Sequence, residues 1–319
     1  MKDLFYICNP IAGRGKARER LSGMIEFYNS CGFIPRVYMT GPDRDLKEAF
    51  SLFPESGFLV CSGGDGMLNL MINTLSELGI DVPIGYIPMG TTNDFSKTIG
   101  LPKKFEDVLR TSVSEYYSRI DAGELEGRRF AYVAGFGNFT DISYKTPQIS
   151  KNMLGYLAYL LEGARSISDI KPYHVKVTAG EEILEGDYVF GLVTNSTSVA
   201  GVRPPSGAAT KLDDGLMELT LIRMPRNLAE LRELAGSYLT SDGRSELIEC
   251  RQGREFGFEA EKLDWTLDGE FGGCYDKCHI SVLPKAFAVR RPEPPLKTGN
   301  NEAKKRGKDS KAERQRSQQ

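Results

Sequence analysis

The 319 residues, 40% apolar and 26% charged, have the make-up of a globular protein and are enough for two domains or one large α/β domain. The net charge of −2 hides an asymmetry, because residues 297–319 hold eight Lys/Arg against three Asp/Glu, making that stretch about +5 and the rest about −7. No apolar run approaches the roughly 18 residues of a bilayer-spanning helix, which excludes a membrane-crossing chain but not contact with a membrane surface.

Met1-Lys2-Asp3 leads straight into an apolar strand over 4–8, with no secretory signal. Six scattered cysteines (Cys8, Cys31, Cys61, Cys250, Cys274 and Cys278) fit reduced thiols in a cytoplasmic protein. Helical periodicity follows over 16–31, with Leu21, Met24, Ile25 and Tyr28 on one face. Next come a strand over 36–39, a helix over 45–53, a strand over 57–61 and a helix over 67–78. In that last helix Leu70, Met71, Asn73 and Leu75 are expected to pack on the sheet. A strand over 84–88 and a helix over 94–99 complete the pattern. Short strands joined by helical crossovers imply a parallel, Rossmann-like sheet covered on both faces.

Beyond Ile120-Asp121-Ala122-Gly123 the texture changes. Strand-like runs over 129–135, 174–178, 188–195, 217–223, 257–260, 262–267 and 279–282 are spaced as in an antiparallel β domain. Helical patterns over 152–168 and 227–240 interrupt them. The expected division is an α/β nucleotide-binding domain over 1–121, a mainly antiparallel β domain over 122–292 and a disordered basic tail over 293–319.

Three glycine-containing turns follow strands of the first domain: Asn9-Pro10-Ile11-Ala12-Gly13-Arg14-Gly15-Lys16, Ser62-Gly63-Gly64-Asp65-Gly66 and Gly90-Thr91-Thr92-Asn93-Asp94. Strand, glycine turn and helix in succession aim backbone N–H groups at a phosphate. The first turn lacks the Walker A spacing, and G-x-G-x-x-G fails at its third glycine. An aspartate in each of the other two suggests a polyphosphate with its cation. The plainer role for such an aspartate is an Asx-turn or a helix cap.

Together the turns resemble the catalytic domain of the diacylglycerol kinase family, specifically the soluble bacterial lipid kinases. The likeness continues through Asp121-Ala122-Gly123, Gly135-Phe136-Gly137, Lys211-Leu212-Asp213-Asp214-Gly215-Leu216 and Leu267-Asp268-Gly269-Glu270, covering residues 4 to about 290. It implies the fold type shared with NAD kinases in the first domain, and transfer of the γ-phosphate of ATP to a lipid alcohol. ATP and Mg²⁺ are the implied cofactors. The nucleotide positions implied are Asn9, Thr40 at the end of the second strand, Gly63, Gly64, Asp65, Gly66, Met67, Leu68, Asn69, Gly90, Thr91 and Asn93. Asp65, Asp94 and Asp121 are expected to serve the Mg²⁺ of the triphosphate. A separate structural Mg²⁺ is implied at Asp214 with the carbonyls of Lys211 and Leu216. Asp268 and Glu270 are the catalytic acids, and the sequence does not separate their roles. A solvated Asp-Gly hairpin turn is the alternative for both Asp-Gly elements.

The chain departs from the family at Met67, where Thr is usual, and at Leu70, where Glu is frequent. A non-catalytic lipid or nucleotide sensor is the reading those departures motivate, and a soluble-substrate kinase of the NAD kinase type is another rival. Cys274, Cys278 and His279 lack the C-x₂-C spacing of structural zinc. The apolar stretch 153–161 suits either a buried helix or contact with lipid, and the basic tail suits an anionic membrane surface, a solvated terminus or non-specific RNA binding, with no specific nucleic acid expected. A homodimer is left open.

Overall fold

The structure, a computed structural model, describes residues 1–41, 44, 46–54, 57–137, 170–197, 210–240 and 245–293. The helix expected over 152–168, the apolar stretch 153–161 and the basic tail beyond residue 293 lie outside the described residues.

Four strands form a parallel array: β1 (Lys2–Cys8), β2 (Phe33–Met39), β3 (Phe58–Gly63) and β4 (Ile84–Pro88), in the spatial order β4-β3-β1-β2. Successive side chains leave opposite faces of a strand, and in β1, β3 and β4 both faces are buried, whereas the edge strand β2 is mostly half-buried or exposed. Phe5, Ile7, Leu59 and Cys61 join one core, and Leu4, Tyr6, Cys8 and Val60 join another. The first core is covered by α3 (Leu46–Phe50), α4 (Asp65–Glu77) and α5 (Asp94–Thr98). The second is covered by α1 (Lys16–Glu19), α2 (Leu21–Ser30) and α6 (Phe105–Ser112). Burial on both faces explains why β1, β3 and β4 read as nearly unbroken apolar runs.

Several elements differ from expectation. The helix expected over 16–31 breaks at Arg20 into α1 and α2. On α4 the buried face is Met67, Leu68, Met71, Ile72 and Leu75, whereas Leu70 is exposed and Asn73 half-buried. The i, i+3, i+4, i+7 stripe runs through Leu68, Met71, Ile72 and Leu75, so Leu70 and Asn73 fall outside it. Asp121, at the expected change of texture, lies within β5 (Tyr117–Leu125).

The remaining strands are β6 (Arg128–Phe130), β7 (Val133–Gly137), β8 (Tyr173–Ala179), β9 (Glu182–Thr194), β10 (Met217–Arg223), β11 (Ile248–Gly253), β12 (Glu255–Leu267) and β13 (Glu270–Arg290). They pair antiparallel in the order β11-β10-β9-β7-β12-β13 around a core that includes Phe136, Phe258 and Trp265. Helix α7 (Leu228–Thr240) follows β10, with the Asn227 carboxamide accepting from the amides of Ala229 and Glu230 at 2.9 and 3.0 Å.

Strand β13 links the two regions. It pairs with β12 and β5 and then meets β4 in parallel at Val289 and Ile84. Arg290, at its end, stacks 4.1 Å from the Phe58 ring centroid and donates to the Ser114 carbonyl. Through this contact the parallel and antiparallel strands form one continuous 13-stranded sheet.

Candidate active site

The three glycine-containing turns leave the carboxyl ends of β1, β3 and β4, and Thr40 follows the end of β2, bonded through its N–H to the Cys8 carbonyl at 2.9 Å. Ligands bind at this edge in open parallel sheets. The second and third turns touch. A Cβ added to Gly90 would come within 2.6 Å of the Gly64 Cα, so only glycine permits this approach. Asn93, with φ of 50°, folds back on Gly90: its Oδ1 accepts from the Gly90 N–H at 2.8 Å and its Nδ2 donates to the Gly90 carbonyl at 2.9 Å.

Helix α4 opens at Gly64 without a side-chain cap. Its first-turn amides carry the positive end of a helix macrodipole toward the space between the turns, which suits an anion. The Asp65 carboxylate points the other way and accepts from the amides of Asp94 and Phe95 at 3.1 and 3.3 Å. It thereby caps α5. Burial raises its pKa, and those two N–H groups oppose the shift.

The opposite wall is the β12–β13 hairpin. Asp268 (φ 50°) and Gly269 (φ 93°) form its two-residue loop, with Leu267 paired to Glu270. Both loop residues have positive φ, as a type I′ turn requires. The Asp268 carboxylate is buried and accepts four hydrogen bonds. They come from the amides of Ala131 (2.6 Å), Tyr132 (3.0 Å) and Val133 (3.1 Å) and from Asn69 Nδ2 (2.8 Å). This is why the strand expected over 129–135 splits into β6 and β7: the amides of Ala131 and Tyr132 serve Asp268 instead of a neighbouring strand. Burial outweighs the four donors and pushes the Asp268 carboxyl up to about 6.

Asn69 and Asn73, one turn apart on α4, hold the helix against this wall. Asn73 Nδ2 donates to the Arg129 carbonyl at 2.9 Å, and its Oδ1 accepts from the Arg129 amide at 3.0 Å. Asn69 Nδ2 also reaches the Arg129 carbonyl, at 3.0 Å. The helix whose uncapped start faces the cleft is thus tied to the hairpin that carries Asp268 and Glu270.

Between these walls lies a cleft of about 880 Å³. It gathers Asn9, Thr40, Gly64, Gly66, Met67, Asn69, Gly90 and Glu270 of the sequence-derived set. Glu270 is exposed there, its Oε1 2.7 Å from where a Cβ on Gly66 would sit. Other members of the set lie elsewhere. Leu68 is fully buried in the core, so its side chain is out of reach of a ligand. Gly63 is buried at the strand end, and Thr91 is exposed outside the cleft lining. Asp268 sits beneath the hairpin rather than in the cleft. The cleft also contains Arg44, Asn73, Gly127 and Arg128, which sequence reasoning missed. An exposed arginine carries no signal in the sequence distinguishing it from a solvated surface residue.

The cation positions divide into two places. Asp94 is buried and paired with Lys97 Nζ at 3.1 Å. With Asp65 it forms one acidic pair beneath the turns. Asp121 lies apart from that network in its bonding: Oδ2 accepts from the Gly215 amide at 2.6 Å and Oδ1 from the Lys285 amide at 2.7 Å. It fastens the 211–216 turn to β5. Within that turn the exposed Asp214 makes an Asx-type bond, Oδ1 accepting from the Leu216 amide at 3.1 Å. Lys211 is exposed. Among the described residues no three His, Cys, Asp or Glu side chains converge on one metal position. The donors fit a magnesium ion held largely by phosphate oxygens and water, since each Asp65 oxygen already receives one N–H.

The Diacylglycerol kinase catalytic domain family matches residues 3–125. Diacylglycerol kinase of Bacillus subtilis (strain 168) is 30% identical over 303 residues, spanning 90% of this chain and 98% of that protein. Diacylglycerol kinase of Staphylococcus saprophyticus is 29% identical over 275 residues, covering 84% of this chain and 88% of the relative. A crystal structure of a diacylglycerol kinase from Bacillus anthracis superimposes with a TM-score of 0.70 at 22% identity, over 92% of this chain and 97% of that one.

Proposed function

This chain belongs to the diacylglycerol kinase family, and from that premise we propose that it transfers the γ-phosphate of ATP to the hydroxyl of a lipid alcohol, diacylglycerol or a close relative, with Mg²⁺ on the triphosphate. The observation that carries the reading is the meeting of two groups in one cleft: the uncapped start of α4 at Gly64 and Gly66, and the exposed carboxylate of Glu270. The first suits a phosphate, and the second can take a proton from an attacking hydroxyl. Phosphoryl transfer needs little more than positioning, charge neutralisation and such a base.

The geometry favours different roles for the two acids. Asp268 is saturated by four donors and buried, so it positions the hairpin. Glu270 is the general base: as its carboxylate accepts the hydroxyl proton, the alkoxide oxygen bonds to the γ-phosphorus and the bond to ADP breaks. Thr40 and Asn9, which line the cleft, would face the nucleotide. Asp65 and Asp94 would reach the triphosphate Mg²⁺ through water, and Asp214 with the Lys211 and Leu216 carbonyls would hold the structural ion. We assign nucleotide binding to residues 1–121 and the lipid-facing acids to 122–292. The basic stretch 293–319 would meet an anionic membrane surface from the cytoplasm.

The test is incubation with labelled ATP, Mg²⁺ and an extract of membrane lipids, beside a parallel reaction with NAD. One labelled lipid product is expected. Phosphorylated NAD without labelled lipid would replace the reading with a soluble-substrate kinase, and binding without turnover would make the chain a sensor.

A further inference from the structure

Resting on the kinase reading above, we propose that Arg128 is a further catalytic residue, one whose guanidinium holds the phosphoryl group as it moves. Strand β6 sends consecutive side chains to opposite faces. Arg129 leaves on the far side, where it approaches Glu124 at 3.9 Å, while Arg128 is exposed in the cleft that holds Gly66 and Glu270. Arg128 Nη1 donates to the Phe271 carbonyl at 2.8 Å. Phe271 directly follows Glu270, so this bond fixes the guanidinium beside the base.

The charge arrangement leaves Arg128 open to a ligand. Among the described residues no carboxylate pairs with it. Glu77, the other acid of the cleft, is held by Lys47 at 2.6 Å. Leu70, on the same cleft wall, contributes no charge. Among the described residues one of the five guanidinium N–H donors is occupied, and the rest form a planar fork suited to phosphate oxygens. Charge spreads over the equatorial oxygens of the transferred group and onto the leaving oxygen during phosphoryl transfer. The amides of α4 approach that group from one side, and Arg128 approaches from the side of the base. Its contribution grows as the transition state forms, so it differs from a residue that merely binds nucleotide.

The experiment compares wild type with Arg128→Gln and Arg128→Lys. Glutamine keeps a donor for the Phe271 carbonyl and removes the charge, and lysine keeps the charge without the fork. For Arg128→Gln, kcat is expected to fall roughly 10²–10³-fold, while KM for ATP and for the lipid stays within about threefold. Calorimetric titration gives a readout without turnover. Affinity for Mg²⁺-ADP is expected to be unchanged, and affinity for Mg²⁺-ADP with aluminium fluoride, a mimic of the moving phosphoryl, to fall more than about 30-fold. Arg128→Lys should lie between wild type and Arg128→Gln on both measures. Equal losses for ADP and for ADP with aluminium fluoride, or wild-type kcat in Arg128→Gln, would overturn the assignment alone. A wild-type chain that phosphorylates no lipid would overturn the kinase reading and this inference together.

Discussion

Asn69 Nδ2 lies 2.8 Å from Asp268 Oδ2, joining the helix that starts at the second glycine turn to the hairpin that carries Glu270. The two residues are 199 positions apart in the chain, so the bond is a tertiary seam between the glycine-turn wall and the hairpin wall of the cleft. Three further N–H donors complete the seating of the Asp268 carboxylate. A buried carboxylate that lost one of four donors would keep its charge with less compensation.

Asn69→Ala is therefore expected to lower stability by about 1.5–3 kcal/mol, the range for a hydrogen bond to a charged group. It should also lower kcat, because the hairpin that positions Glu270 loosens. Urea unfolding checks the first and steady-state kinetics the second. Unchanged stability would show that the Asn69–Asp268 bond adds nothing to the fold.

Glu270→Gln and Asp268→Asn should separate the two acids. Glu270 is exposed, so its amide variant is expected to melt like wild type while kcat falls roughly 10²–10⁴-fold, as for loss of a general base. Asp268→Asn places an NH₂ group among amide donors, and it should unfold more easily, by about 1–3 kcal/mol. Thermal melts beside initial rates decide. An active Glu270→Gln enzyme would move the base elsewhere.

The Asp268 carboxyl also predicts a pH dependence. Its folded-state pKa is raised from 3.8 to about 6 by burial, so between those values the folded chain holds a proton that the unfolded chain has released. Stability from this group is then fully present below about pH 4 and is lost as pH rises through about 6. Wild type minus Asp268→Asn, measured by urea unfolding from pH 4 to 7, should show that fall. A difference that rises with pH would mean the four donors, not burial, dominate.

Much of this was legible in the sequence because it is local. The parallel strands announce themselves as apolar runs, since both faces of Phe5, Tyr6, Ile7 and their neighbours are buried. The glycine turns are legible because Gly64 and Gly90 touch in a way no other residue permits. What stayed hidden depends on partners distant in sequence. The break between β6 and β7 exists only because Asp268 draws the amides of Ala131 and Tyr132. The strand status of Asp121 follows from its pairing partner β13, about 160 residues on. Arg128 became a site residue only once the Phe271 carbonyl was beside it.

Met67 stands where the family usually has Thr. It is buried at 6% exposure in the first core, at the start of α4. Met67→Thr is expected to cost about 1–3 kcal/mol of stability, since a hydroxyl replaces most of a packed thioether side chain. If the new hydroxyl reaches a phosphate, ATP binding should tighten, by at most about a hundredfold for one charge-assisted bond. Urea unfolding and calorimetric titration with ATP are the measurements. Weaker ATP binding would show that the Met67 packing shapes the nucleotide site and that the departure from Thr is accommodated by the rest of the core.

The basic stretch 297–319, eight Lys/Arg against three Asp/Glu, is expected to recruit the protein to anionic membranes and to take no part in chemistry. It holds almost no large apolar residue, so its attraction would be electrostatic, at about 1 kcal/mol per basic residue close to the surface. Removing residues 297–319 should leave turnover of a short-chain, detergent-dispersed lipid unchanged. Binding to vesicles containing phosphatidylserine should weaken, and the gap between full-length and truncated protein should close at high salt, because exposed charges are screened beyond about 10 Å at 0.1 M. Vesicle co-sedimentation at two salt concentrations measures this. Equal binding by the two proteins at low salt would leave the stretch a solvated end and place the membrane contact on the folded part of the chain.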